Sequence, residues 1–144
     1  MEVAPKSKKE IMYRAPLVRE EWPELFKKVI DEINEEQEGF NFQVSYDKQG
    51  NFYILESIDD FYVHIELQNN LLRIRNIFSI EKGNGYGKMI MQKIINVCKR
   101  EKSFHINKIV ADNVSPTDTA INFWKKLKFK WSSENSLNME FELL

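Results

Sequence analysis

The sequence predicts an α/β (α+β) domain, with a mixed, mostly antiparallel sheet and helices packed on both faces. Three observations lead there. One amphipathic stretch precedes a series of short apolar and aromatic runs split by Asp, Gly and Asn. A glycine-rich turn then joins a strand-like run to a helix-like one, and a strand, a helix and a hairpin pattern close the chain. A length of 144 residues suits a single domain, 1–144, with one core.

The elements follow in order. Residues 1–18 are weakly patterned, and their lysines and two prolines suggest an extended arm or edge strand. "REEWPELFKKVIDEINEEQEG" sets Trp22, Phe26, Val29, Ile30 and Ile33 on one helical face, with Pro23 suited to a first turn and Gly39 to the stop. "FNFQVSY", "FYILES", "FYVHIEL" and "LLRIRNIF" are separated by "DKQGN", "IDD" and "QNN". Asp, Gly and Asn tolerate positive φ, so an antiparallel meander is expected. After the glycine turn, Ile90, Ile94, Val97 and Cys98 share a helical face, with Met91 and Ile95 beside it. "NKIVAD" is a short strand, and "SPTDTAINFWKKLKF" is a helix opened by capping residues. "FKWSS" and "LNMEFELL" make a closing hairpin.

Charge and cysteine content exclude several classes. The formal net charge is −1, so no overall field draws the chain to nucleic acid or membrane. Cys98 is the only cysteine, which excludes an internal disulfide and suits a reducing compartment. No signal-peptide design and no membrane-length apolar run is present. A cytoplasmic location is expected. Two histidines and one cysteine, far apart, give no metal constellation, so no metal is expected.

"SIEKGNGYGKM" holds three of the five glycines, at Gly83, Gly85 and Gly87. A strand that enters a helix through such a turn suits an anion. Glycine admits close backbone approach, and the first helical N–H groups point outward with the positive end of the helix dipole. Lys82 and Lys88 flank the turn. A Walker loop does not fit, because Gly83 to Gly87 is one residue short and Met89 stands where Ser or Thr is needed. A dinucleotide fingerprint does not fit either, because the turn follows a meander.

The pattern that fits is [QR]-x-x-G-x-[GA], with Lys82 at the basic position and Gly85 and Gly87 as the glycines. A second motif, roughly A-x-x-[FL]-[YW]-x-K-x-G-F, is met by "AINFWKKLKF" from Ala120 to Phe129. Together these resemble the GNAT superfamily of N-acetyltransferases over about half of the chain. The resemblance implies acetyl-coenzyme A as co-substrate. It places the pyrophosphate on Lys82, Gly83, Asn84, Gly85, Tyr86 and Gly87, with Lys88 beside them. It places the pantetheine arm along Ile77, Phe78 and Ser79, on a strand splayed from its neighbour. The opposite wall falls to Asn113, Thr117, Phe123 and Trp124.

Four departures stand out. Lys82 replaces Arg or Gln and keeps the charge without the fork. Lys128 stands where the motif has a helix-ending Gly. Thr117 stands where an Asn is frequent. Trp124 stands where many members carry a Tyr that protonates the departing thiolate, and an indole N–H is no useful acid. Trp124 is therefore expected to pack against core or cofactor. Four strands also precede the turn, where the family usually has three between its first helix and the turn.

The resemblance implies direct transfer of acetyl from thioester to a neutral amine, with a base for the amine proton. The candidates are Glu66, His64 and Asn76, the last able only to orient water. The expected function is an acyl-CoA-dependent N-acetyltransferase acting on an amine of a small molecule or protein, as monomer or homodimer. The alternative is a catalytically weak or inactive protein of the same fold that binds coenzyme A or a protein partner. Nucleic acid is not an expected partner, because the acidic "DEINEEQEG" offsets the lysine-rich "KSKKE".

Overall fold

The computed structural model describes residues 17–36, 41–57, 61–79 and 85–143. Residues 1–16 of the expected arm, the Gly39 helix stop, and Lys82, Gly83 and Asn84 of the turn lie outside these residues, while Leu17 and Val18, expected in the arm, open a helix. The described elements are α1 (Leu17–Glu36), β1 (Phe42–Tyr46), β2 (Phe52–Ser57), β3 (Phe61–Gln68), β4 (Leu71–Ser79), α2 (Tyr86–Arg100), a 3₁₀ turn (Lys102–Phe104), β5 (Lys108–Ala111), α3 (Asp118–Lys126), β6 (Lys130–Trp131) and β7 (Met139–Glu142).

The strands form one sheet of seven in the order β1-β2-β3-β4-β5-β7-β6. Among the described strands, only β4 and β5 pair in parallel. The meander is as its turn residues predict. Asn69 and Asn70 have φ of 54° and 64°, the geometry of a tight two-residue hairpin.

Alternation in the strands divides the sheet into two faces. On the first, Phe61, Val63, Ile65 and Leu67 of β3 are buried, as are Tyr53 and Leu55 of β2 and Leu72 and Ile74 of β4. These join Trp22, Phe26, Val29 and Ile33 of α1, Ile90 and Ile94 of α2, and Trp124 of α3 in one core cluster. The faces anticipated for α1 and α2 are the buried ones. Topology explains the arrangement. β4–α2–β5 and β5–α3–β6 are parallel connections that advance in the same direction, so right-handed crossovers put both helices on one face.

One boundary differs from the sequence reading. The helix begins at Leu17, so Pro23 lies inside it and not in its first turn. Proline there removes one internal hydrogen bond, and the buried face of α1 offsets that cost.

Candidate active site

The site is built where β4 and β5 part. Their pairing runs from Leu71↔Lys108 to Ile74↔Ala111, and the Asp112 N–H still donates to the Ile74 carbonyl at 3.0 Å. Then the chain turns away. Asn113 takes the left-handed conformation, with φ of 54°. Its N–H donates to Asn138 Oδ1 at 2.9 Å, and the Val114 N–H donates to the Leu137 carbonyl at 2.7 Å. β4 runs on to Ser79. Among the described strands, none pairs with its β5-side edge beyond Ile74, so a wedge opens between them.

β4 is irregular at the same place. Against β3, His64 faces Asn76 but Ile65 faces Ile74, so Arg75 is an extra, bulged residue. The bulge re-aims the strand. Arg75 Nη1 donates to Glu66 Oε1 at 2.6 Å, and its Nε forms an ion pair with Asp112 Oδ2 at 3.1 Å. Arg73 Nη1 donates to Asp112 Oδ1 at 2.5 Å. Two guanidiniums and two carboxylates thus tie β3, β4 and the end of β5 together at the apex of the wedge.

The mouth of the wedge is formed by α2 and α3. Gly85 caps α2 with φ of 83°, a region that L side chains rarely adopt, and a Cβ there would meet nothing within 4 Å. The first turn of α2 has no acidic residue, and Lys88 is exposed. Open space before a helix N-terminus and a nearby lysine suit a phosphate. Gly87 has a different reason. A Cβ there would stand 3.3 Å from Phe123 Cε1 and Cζ and 3.6 Å from Ile77 Cδ1. Gly87 therefore lets α3 close against α2 and β4, which brings Ile77, Gly87 and Phe123 together.

The remaining sites of the sequence reading fall as follows. Phe78 sends its ring to the second face, where it stacks on Tyr62 at 5.1 Å. Ser79 ends β4. Tyr86 opens α2, and its ring meets Phe61 edge-on at 6.2 Å. Thr117 is the N-cap of α3, its Oγ1 accepting the Ala120 N–H at 3.2 Å. Trp124 is buried, with Phe123 and Phe129 each 4.9 Å away. Lys128 has φ of 74°, the strained ending that a missing glycine implies.

The three candidates for handling the amine proton share the second face. His64 and Asn76 are direct cross-strand partners, and Glu66 is two residues along β3. Glu66 is engaged by Arg75. Sequence reasoning missed Arg73, Arg75 and Asp112. The signal that could have found them was "RIR", two basic residues in a strand that leads into the glycine turn. Cys98 is buried, which pushes its thiol up to about 12 and makes it a core residue. His105 is exposed after the 3₁₀ turn.

No protein-family model and no curated protein matches the sequence. Solved structures do match the fold. The PaiA N-acetyltransferase of Thermoplasma acidophilum, in complex with coenzyme A, aligns with a TM-score of 0.53 at 13% identity, over 64% of this chain and 61% of that one. Ard1 of Thermoplasma volcanium aligns at 0.50 and 15%, over 85% and 93%. The ribosomal-protein-S18-alanine N-acetyltransferase of Escherichia coli aligns at 0.50 and 9%, over 78% and 76%. The fold of this chain is that of the GNAT acetyltransferases.

Proposed function

We propose that this chain transfers an acetyl group from acetyl-coenzyme A to an amine. The observation that carries the proposal is the wedge between β4 and β5, with a bulge at its apex and a glycine-capped, acid-free helix N-terminus at its mouth. The fold is shared with N-acetyltransferases, one of them solved with coenzyme A. That likeness supports the reading.

In this reading the pyrophosphate rests on residues 82–88 and the pantetheine arm pairs with the free edge of β4 at Ile77, Phe78 and Ser79. Phe123, Thr117 and Asn113 line the other side, and Trp124 backs it from the core. The thioester carbonyl reaches the bulge, where backbone N–H groups stabilise the developing oxyanion. The amine nitrogen attacks the carbonyl carbon, a C–N bond forms and the C–S bond breaks. The amine proton passes to His64, directly or through a water that Asn76 orients. Glu66 and Asp112 hold Arg75 in place. The departing thiol has an ordinary pKa near 8.5, so it leaves partly unaided, and a tyrosine acid is not required.

The test is release of free coenzyme A from acetyl-CoA across a panel of amines, followed by pH–rate profiles of His64→Gln and Glu66→Gln. The reading expects turnover that loses its low-pH limb in His64→Gln. No release with any amine, from a protein that binds acetyl-CoA, would favour a non-catalytic coenzyme A binder. A limb lost only in Glu66→Gln would return the base role to Glu66.

A further inference from the structure

We propose that the acceptor is a primary amine carried on an aromatic or long aliphatic group, seated on a ladder of rings on the second face of β3 and β4. The proposal rests on the acetyl-transfer reading above and names its substrate class. Tyr62 and Phe78 are cross-strand partners whose rings stack at 5.1 Å and 19°. Tyr62 also stacks on His64 at 4.7 Å and 27°. Ile54, the partner of His64 on β2, extends the surface. Phe78 is 41% exposed and Ile54 36%, so large apolar groups lie open where the described helices do not reach.

Register gives the ladder a direction. One end is Phe78. The other is His64, whose partner Asn76 is next to the bulged Arg75 at the apex of the wedge. A ligand lying along the ring edges therefore has one end at the apex, where the acetyl-transfer reading puts the thioester, and its body on apolar surface.

Charge narrows the class. Both guanidiniums at the apex are already bonded to Glu66 and Asp112. Glu56, the partner of Tyr62 on β2, has no bonded partner among the described residues. An exposed carboxylate beside the rings attracts an ammonium group and raises its local concentration before deprotonation. An acidic peptide would meet Glu56 with like charge. A polyamine or an amino sugar would leave the rings uncovered.

The experiment compares phenethylamine, hexylamine, spermidine and an acidic peptide as acceptors. The expected result is a kcat/KM for the first two at least ~10-fold above the others, with Phe78→Ser raising their KM about 10-fold. Preference for spermidine or the peptide overturns the proposal, and so does an unchanged KM in Phe78→Ser. Aromatic-ring NMR of the protein without acetyl-CoA supplies a second readout. Phenethylamine should shift the His64 and Tyr62 ring resonances in wild type and not in Phe78→Ser, and absence of the shift in wild type overturns the proposal. Ring shifts in a protein that takes no coenzyme A would support the amine site while removing the transferase reading, so the two fail separately.

Discussion

Arg75 Nε lies 3.1 Å from Asp112 Oδ2, across the line where β4 and β5 separate. The same guanidinium reaches back to Glu66 on β3. Arg75 is the bulged residue, so this double contact fixes the shape of the strand at the apex. Its side chain is 51% exposed, and such pairs contribute roughly 0–1 kcal/mol to stability. Arg75→Met should therefore melt close to wild type while kcat falls by at least ~10-fold, about 1.4 kcal/mol of transition-state binding. Thermal melts with steady-state kinetics check this, and a large loss of stability with unchanged kcat would contradict it.

Trp124 is a core aromatic between Phe123 and Phe129. Trp124→Ala should cost about 3–5 kcal/mol in denaturant unfolding. Trp124→Phe should fold and keep most turnover, because the indole donates no proton. A folded, cofactor-binding Trp124→Phe that had lost nearly all turnover would show that the indole takes part in the chemistry.

Lys128 pays for a missing glycine with a φ of 74°. Lys128→Gly should stabilise the fold by roughly 0.5–1 kcal/mol, the relief of left-handed strain less the entropy that glycine adds to the unfolded chain. A urea titration of the two proteins decides the sign.

Cys98 connects stability to alkaline pH. Burial raises its thiol from 9.0 to about 12. The folded state thus favours the protonated form. Its contribution is fully present below pH 9 and is lost as pH rises from about 9 toward 12. Native protein should resist a thiol reagent at pH 9, and Cys98→Val should show a shallower fall in stability above that pH. Rapid labelling of the native protein would contradict the burial.

Much of this was legible in residue patterns, for identifiable reasons. Period and turn chemistry are local, so Ile90, Ile94, Val97 and Cys98, and the Asn69–Asn70 hairpin, could be read directly. Lys128 was legible in part: without the glycine either its backbone takes a less easy conformation or the helix ends otherwise, and its φ of 74° is the first outcome. The bulge at Arg75 was not, because an extra residue in one strand shows only against its partner. The Glu66–Arg75–Asp112 cluster joins residues distant in sequence, so only the topology reveals it. Gly87 looked like a phosphate residue, yet its bare Cα also answers the ring of Phe123.

The central claim is that the glycine turn and the first turn of α2 hold the diphosphate of coenzyme A. Titration calorimetry of coenzyme A into wild type and Gly85→Glu, with circular dichroism to verify folding, tests it most directly. A glutamate at Gly85 puts a side chain and a negative charge into the open space before α2. The account predicts saturable binding by wild type and at least ~10-fold weaker binding by the folded variant, about 1.4 kcal/mol. Equal affinity in the two proteins, or no binding by wild type, would contradict it.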